Sequence, residues 1–200
     1  DAPDATDPYK THAAPPAPLA GANDLKDIIW KTGVVQDGVA QAAPNGTDEK
    51  LKRIVRAVPG HSVLLDPAGV TETDTYLGLD GMSHFKVKSD ERIDMDQAPS
   101  GLGHLAAGIA FCYMTQIGRY IEHQKFNIRG VRLVQHTPFV TSGNPADGSW
   151  TGKAEPADTH LFLSGEEDDA THEKLMTIAA NTCYLHATML ATLEPVVAVE

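Results

Sequence analysis

The two cysteines are the residues of this 200-residue chain best suited to chemistry. Cys112 and Cys183 each lie in a segment with a helical pattern, among small residues that let another backbone approach closely. Neither belongs to a Cys-x-x-Cys pair, and two cysteines are too few for the disulfide framework of a small secreted protein. The pair therefore indicates redox chemistry, and its scarcity favours a cytoplasmic location.

A metal site is a second interpretation of the same part of the sequence. Cys183 and His186 share one face of a helix, because they are three positions apart. With Cys112 and His104 they make a Cys₂His₂ set, which suits zinc or another thiophilic metal. The two pairs come from separate helices, so the sequence leaves their geometry open.

Composition excludes several classes of partner. The formal net charge of −11 and the isoelectric point of about 5.2 oppose binding to nucleic acid or to an anionic membrane, because phosphates would be repelled. No apolar run approaches the roughly 20 residues that span a bilayer. A small or neutral ligand is the expected partner. The chain begins at Asp1 rather than Met, which leaves open whether a leader was removed.

The first 60 residues are predicted to form an N-terminal extension. A Pro-rich tail over residues 1–22 precedes two short helices, the first closed by Gly33 and the second ended by Pro59-Gly60. Their apolar residues recur at helical spacing: Leu25, Ile28, Ile29 and Trp30 in the first, and Leu51, Ile54, Val55 and Val58 in the second.

Residues 61–200 carry the pattern of one α+β domain. Alternating residues predict strands around 63–65, 71–79 and 85–87, with a hairpin turn at Asp80-Gly81. A helix over 101–124, a strand over 127–135, an excursion over 138–156 and a strand over 159–164 follow. A second long helix over 171–193, capped at Asp168-Asp169, precedes a last edge strand at 196–199.

The run from Pro99 to Cys112 resembles the start of the first long helix in the OsmC/Ohr family, the osmotically inducible and organic hydroperoxide resistance proteins. That family has Thr-Asn-Pro-Glu-x-Leu-x-Ala-Ala-x-x-Ala-x-Cys at this place. The segment from Glu173 through Cys183-Tyr184-Leu185-His186 is similar to the second family helix, which ends in Cys-Pro-Val-Ser or Cys-Pro-Val-His. The resemblance covers roughly residues 61–200. It implies a curved, largely antiparallel sheet with two long central helices, in an intertwined homodimer.

The resemblance also implies a thiol-dependent peroxidase, an antioxidant oxidoreductase of the stress response. Cys112 would attack a small organic hydroperoxide and become a sulfenic acid, and Cys183 would close a disulfide that an external dithiol reduces. No bound cofactor is expected. Arg92 is the counterpart of an arginine that activates the family cysteine. Leu102 stands where the family has an orienting glutamate, and His104 is the proposed substitute.

Two alternatives fit the same sequence. In one, the OsmC fold holds a metal, a haem or a small apolar ligand through Cys and His and reduces no peroxide. In the other, the 60-residue extension docks a partner subunit, and the cysteines have no chemical role.

Overall fold

The computed structural model of the chain describes residues 28–36, 46–48, 53–55, 57–67, 69–92 and 97–191. They form two compact units, divided between His104 and Leu105, which we call the N-terminal unit and the C-terminal unit. Within the described ranges, every helix is too short or too polar to cross a bilayer.

The N-terminal unit contains a four-stranded antiparallel sheet, formed by β1 (Ile29–Val34), β4 (Gly60–Asp66), β5 (Val70–Tyr76) and β6 (Ser83–Asp90). The strands lie in the order β1-β6-β5-β4. Two further short strands, β2 (Gly46–Asp48) and β3 (Arg53–Val55), pair with each other. The three strands predicted from alternation after His61 are therefore confirmed as β4, β5 and β6.

The hairpin between β5 and β6 turns at the predicted residues but with a different geometry. The backbone N–H of Met82 donates to the carbonyl oxygen of Leu79 at 3.1 Å, and Gly81 has φ of 82°. Lys125 is the only non-glycine residue of the described part with a positive φ, so Asp80 keeps the ordinary sign. One positive φ, at the third position, is the pattern of a type II turn, whereas the Asp-Gly signal predicts two.

The two short helices predicted before residue 60 are wrong where the structure describes them. Residues 29–34 form β1, and residues 53–55 form β3. In β1, Ile29 lies opposite Val87 of β6, and this long-range pairing decides a segment whose few apolar residues also fit a helix. Part of the predicted extension thus contributes a strand to the main sheet. The tail over 1–22, Leu25 and Leu51 lie outside the described residues.

The described residues from Gly101 onward contain three α-helices and two strand pairs. Helix α1 (Gly101–Gln124) begins in the N-terminal unit, has the predicted bounds and continues into the C-terminal unit. Strand β7 (Ile128–His136) pairs with β10 (Asp158–Gly165), which confirms the two predicted strands. Helices α2 (Asp169–Thr182) and α3 (Tyr184–Leu190) follow. The predicted strand at 196–199 lies outside the described residues.

The predicted excursion contains a hairpin of two short strands. Strand β8 (Phe139–Ser142) pairs with β9 (Thr151–Ala154), and the chain turns through Asn144–Gly148, where every residue is exposed. Across the base of the hairpin, the N–H of Glu155 donates to the carbonyl oxygen of Pro138 at 3.0 Å.

The core of the C-terminal unit lies between the helices and the β7–β10 pair. Its fully buried members recur every four residues, which keeps them on one face of each helix: Tyr113 and Ile117 on α1, and Leu175 and Ala179 on α2, with Cys183 one turn further. Alternate residues of the strands, among them Leu133 opposite Leu161, pack against this face.

The second long helix is not continuous, which corrects the prediction of one helix over 171–193. The cap is as predicted, because the Asp168 carboxylate accepts from the N–H of Thr171 at 2.8 Å. Cys183, however, is extended, with φ of −80° and ψ of 112°, and separates α2 from α3. The Thr182 hydroxyl donates to the carbonyl oxygen of Ile178 at 2.8 Å. This bond gives a hydrogen-bond partner to a backbone carbonyl in the last turn of α2.

Candidate functional site

The structure brings Cys112 and Cys183 together in the core of the C-terminal unit. Cys112 lies on α1 and is half-buried, whereas Cys183 lies between α2 and α3 and is 1% exposed. Both are free thiols, and Cys112 is close enough to Cys183 to raise the pKa of that thiol. The two predicted redox residues therefore face one another across a helix contact.

A close approach of α1 and α3 places the two thiols. Gly108 precedes Cys112 by one helical turn, and a Cβ atom built on it would lie 3.3 Å from Cδ1 of Leu185. The break at Cys183 makes this residue the N-cap of α3, and Leu185 belongs to the first turn of that helix. The absence of a side chain at position 108 thus lets the α3 segment approach next to the cysteines.

The surroundings give the two cysteines different characters. Burial raises the pKa of the Cys183 thiol, and the neighbouring Cys112 raises it further, while the backbone N–H groups of His186 and Leu185 partly offset the change. Cys183 is therefore a protonated thiol at neutral pH. Cys112 has the greater solvent access, which a thiol needs to meet a small oxidant.

Tyr113 and His186 border the buried cysteine. The Tyr113 hydroxyl donates to the carbonyl oxygen of Met176 at 3.2 Å, and burial, with a smaller contribution from Cys183, raises its pKa. The His186 ring packs edge-on against the Tyr113 ring, with centroids 5.1 Å apart. Burial lowers the pKa of His186, so its imidazole is neutral at pH 7, and Nδ1 is enclosed without a hydrogen-bond partner among the described residues.

A cavity of about 400 Å³ lies between helices α1 and α3 and the base of the β8–β9 hairpin. Ile109 from α1 and His186, Met189 and Leu190 from α3 form one part of its lining. The base of the β8–β9 hairpin forms the other part, with Thr137 and residues 154–157. Ile109 is one turn before Cys112, and His186 is one turn after Cys183. This cavity was not predictable from the sequence, because its lining joins residues of two helices to Thr137 and residues 154–157, which are distant from them in the chain.

Arg92, in the N-terminal unit, binds two carboxylates. Its Nε and Nη2 donate to the two oxygens of Asp90, both at 2.9 Å, and Nη1 donates to Asp66 at 3.1 Å. The backbone N–H groups of Arg92 and Gln97 also donate to Asp90. These bonds, above all those of the Arg92 side chain, hold the pKa of Asp90 well below its usual range. The guanidinium thereby joins the end of β6 to the end of β4.

His104 also has a partner within the N-terminal unit. Its Nε2 lies 2.9 Å from the carbonyl oxygen of Lys88, and since a carbonyl only accepts, this nitrogen carries the proton. At the start of the same helix, the Ser100 hydroxyl accepts from the N–H of Gly103 at 3.0 Å. Leu102, at the position of the family glutamate, is 48% exposed. The structure thus pairs the two cysteines and gives Arg92 and His104 separate partners in the unit before them.

The residues of the metal interpretation do not converge. Across the described ranges, no three His, Cys, Asp or Glu side chains form a group that could hold a metal ion, and this includes Cys112, Cys183, His186 and His104.

Comparison with known proteins gives similarity in structure but not in sequence. The chain matches no protein-family profile, and no curated protein is significantly similar to it. An OsmC-like protein from Mycoplasma pneumoniae has a TM-score of 0.50 and 14% identity, over 68% of this chain and 87% of that one. An OsmC-like hydroperoxide resistance protein from Jannaschia sp. CCS1 has a TM-score of 0.45 and 16% identity, over 70% and 90%. An organic hydroperoxide resistance protein from Legionella pneumophila has a TM-score of 0.45 and 15% identity, over 68% and 88%.

Proposed function

Because this chain has the OsmC-like fold, we propose that it is a thiol-dependent peroxidase that reduces organic hydroperoxides. The observation that carries the proposal is the contact between a half-buried thiol on α1 and a fully buried thiol at the junction of α2 and α3, within one core. The names of the similar structures from Jannaschia and Legionella, which are hydroperoxide resistance proteins, point to the same role.

In the first step, the Cys112 thiolate attacks the distal oxygen of a hydroperoxide ROOH. An S–O bond forms and the O–O bond breaks, so that the sulfur is oxidised to a sulfenic acid and the peroxide is reduced to an alkoxide, which takes up a proton as ROH. Cys112 is the nucleophile in this assignment because it has the greater solvent access of the two.

In the second step, Cys183 resolves the sulfenic acid. Its sulfur attacks the sulfur of Cys112, an S–S bond forms, the S–O bond breaks, and the Cys183 proton leaves with the hydroxide as water. An external dithiol then reduces the disulfide by thiol exchange and is itself oxidised. The sum is ROOH plus a dithiol giving ROH, water and a disulfide, with no bound cofactor.

Arg92 and His104 enter the proposal as positioning residues. The Arg92 side chain is bonded to the carboxylates of Asp90 and Asp66, and the His104 ring is bonded to the backbone carbonyl of Lys88. With Leu102 in place of the family glutamate, His104 ties the first turn of the helix that carries Cys112 to β6, and Arg92 fixes the end of β6. We further propose the homodimer that the fold family implies.

The test is consumption of cumene hydroperoxide by the full chain in the presence of a dithiol. Cys112→Ser is expected to abolish turnover. Cys183→Ala is expected to consume one equivalent of peroxide and to leave a sulfenic acid that dimedone traps on Cys112. Turnover that survives Cys112→Ser would overturn the assignment of the nucleophile, and absence of any peroxide consumption by the reduced protein would overturn the function.

The cavity favours a second candidate function, the binding of a small apolar ligand without peroxide reduction. Saturable binding of such a ligand by a protein whose reduced thiols consume no hydroperoxide would favour this candidate over the first.

A further inference from the structure

The side chain that follows Cys112 in α1 contacts the helices on both sides of the break at Cys183. We propose that Tyr113 is a positioning residue for the disulfide: by linking α1 to α2 and to α3, it holds the buried thiol of Cys183 within reach of Cys112. The inference deepens the proposed function and rests on its disulfide step. It does not depend on a peroxide as the oxidant, so the two proposals can be tested separately.

The break at Cys183 weakens the connection between α2 and α3. In a continuous helix every residue is fixed by the hydrogen bonds of the helix itself, whereas Cys183 has extended dihedral angles. Its N–H donates to the carbonyl oxygen of Ala180 at 3.2 Å, and its carbonyl oxygen accepts from the N–H of Ala187 at 3.1 Å. Neither of these bonds joins α2 to α3 directly. Contacts with another element must therefore hold the two helices, and the thiol between them, in place.

The hydroxyl of Tyr113 makes the contact with α2. Tyr113 is 3% exposed, and its hydroxyl donates to the carbonyl oxygen of Met176 at 3.2 Å. Met176 is two helical turns before Cys183 in the chain. A buried hydroxyl without a partner is costly, so this bond favours one position of α2 relative to α1. Burial raises the pKa of Tyr113, which keeps the hydroxyl protonated and able to donate.

The ring of Tyr113 makes the contact with α3. It packs edge-on against the ring of His186, with the centroids 5.1 Å apart, a geometry that aromatic pairs prefer. His186 is three residues after Cys183, so the two contacts of Tyr113 lie on opposite sides of the break. Because Tyr113 is also the neighbour of Cys112 in α1, one side chain fixes the position of one thiol relative to the other.

Position matters more for closure of the disulfide than for the first attack by Cys112. A disulfide requires the two Cα atoms within roughly 7 Å and a narrow range of dihedral angles, and a misplacement of about 1 Å can slow a reaction strongly. The half-buried Cys112 meets its oxidant from solvent, a step in which α2 and α3 take no part. Loss of the Tyr113 hydroxyl should therefore slow closure and leave the first attack unchanged.

The neutral probe 4,4′-dithiodipyridine separates these two steps without a peroxide. In the full-length reduced protein, the Cys112 thiolate attacks the probe disulfide, a mixed disulfide forms and one thiopyridone is released. Cys183 then attacks the sulfur of Cys112, closes the protein disulfide and releases a second thiopyridone. The protein thiols lose the two electrons that the probe disulfide gains. The rate of the first phase depends on the probe concentration, and the rate of the second does not. Cys183→Ala should show the first phase alone.

Tyr113→Phe keeps the ring and removes only the hydroxyl. It should leave the first phase unchanged and slow the second about fivefold, the factor that corresponds to the loss of one buried hydrogen bond. Tyr120→Phe is the matched control, because Tyr120 is half-buried two turns further along α1, with its ring against Phe126. It should leave both phases at the wild-type rate. His186→Ala removes the contact with α3 and should also slow only the second phase.

The split between the two phases distinguishes a positioning role from a merely structural one, which would change both rates together. Closure at the wild-type rate in Tyr113→Phe, or equal slowing in Tyr120→Phe, would overturn the inference. If Tyr113→Phe does not fold, the rates of His186→Ala decide in the same way. A second phase that depends on the probe concentration in the wild type would also overturn it, because Cys183 would then react with the probe and not with Cys112.

The failure of this inference and the failure of the proposed function give different results. Two-phase closure in a protein that consumes no cumene hydroperoxide would overturn the peroxidase alone. Peroxide turnover, together with an unchanged closure rate in Tyr113→Phe, would overturn the role of Tyr113 alone.

Discussion

A glycine in α1 offers a direct test of the helix contact that places the cysteines. Replacing glycine by alanine in a helix interior stabilises a protein by about 1 kcal/mol, because alanine is the better helix former. Gly118 and Gly108 both lie inside α1, but a Cβ on Gly118 meets no atom within 4 Å, whereas a Cβ on Gly108 meets Leu185 at 3.3 Å. Only the second substitution disturbs the approach of α3.

The expected magnitudes differ for that reason. Gly118→Ala should raise the free energy of unfolding by about 1 kcal/mol, which corresponds to roughly 2–4 °C in Tm for a chain of this length. In Gly108→Ala the same gain is opposed by overpacking, which typically costs about 1–3 kcal/mol. Since the clash is small and falls on the end of a side chain, the lower figure applies. Gly108→Ala should therefore be about as stable as the wild type.

Urea unfolding measures the two stabilities, and thiol titration after a pulse of cumene hydroperoxide measures how fast the disulfide forms. Gly108→Ala is expected to slow disulfide formation, because Leu185 moves together with the segment that carries Cys183. Gly118→Ala should form the disulfide at the wild-type rate. If both substitutions raised the free energy of unfolding equally and both variants formed the disulfide at the same rate, the close approach of α1 and α3 would be refuted as the cause of the thiol contact.

Two further predictions concern pH. The folded state holds His186 with a lowered pKa, so the unfolded chain binds a proton more readily, and stability should fall as the pH drops below about 6.5. Thermal unfolding should show a smaller loss in His186→Phe, and an unchanged pH profile in that variant would contradict the assignment. Asp90 has a lowered pKa, so its contribution to stability is present above its unfolded pKa of about 3.9 and is lost as the pH falls further. Asp90→Asn should lower Tm at neutral pH, and the difference in Tm between the variant and the wild type should shrink in acid. A difference in Tm that stays constant with pH would show that the ion pair with Arg92 does not cause the loss of stability.

The sequence predicted the elements whose pattern is long and local. Helix α1 has its predicted bounds because twenty-four residues without proline follow a serine cap. Strands β5 and β6 were predicted from alternate residues, such as Phe85 and Val87, and flank a glycine with positive φ. Where the pattern is short, the outcome depends on distant partners: β1 contains few apolar residues and becomes a strand because β6 pairs with it.

The residues of the candidate site also divide into those that a local sequence pattern predicts and those that depend on distant partners. The cysteines were identified from their own segments, and the structure brings them into one core. Asp66 was not predictable as a partner of Arg92, because it is distant in sequence and belongs to another strand. The break at Cys183 was missed because Tyr184 replaces the family proline, so no residue marks the interruption that the Thr182 hydroxyl helps to satisfy.

The hydrogen bond between Glu155 and Pro138 separates the two ends of the β8–β9 hairpin. The base contributes to the cavity wall, whereas the exposed turn at Asn144–Gly148 does not. Exposed turns of small and polar residues tolerate inserted peptides best. A fluorophore or an immobilisation tag can therefore be grafted into this turn to follow ligand capture or to attach the protein to a sensor surface, with both sulfur atoms left in their native surroundings.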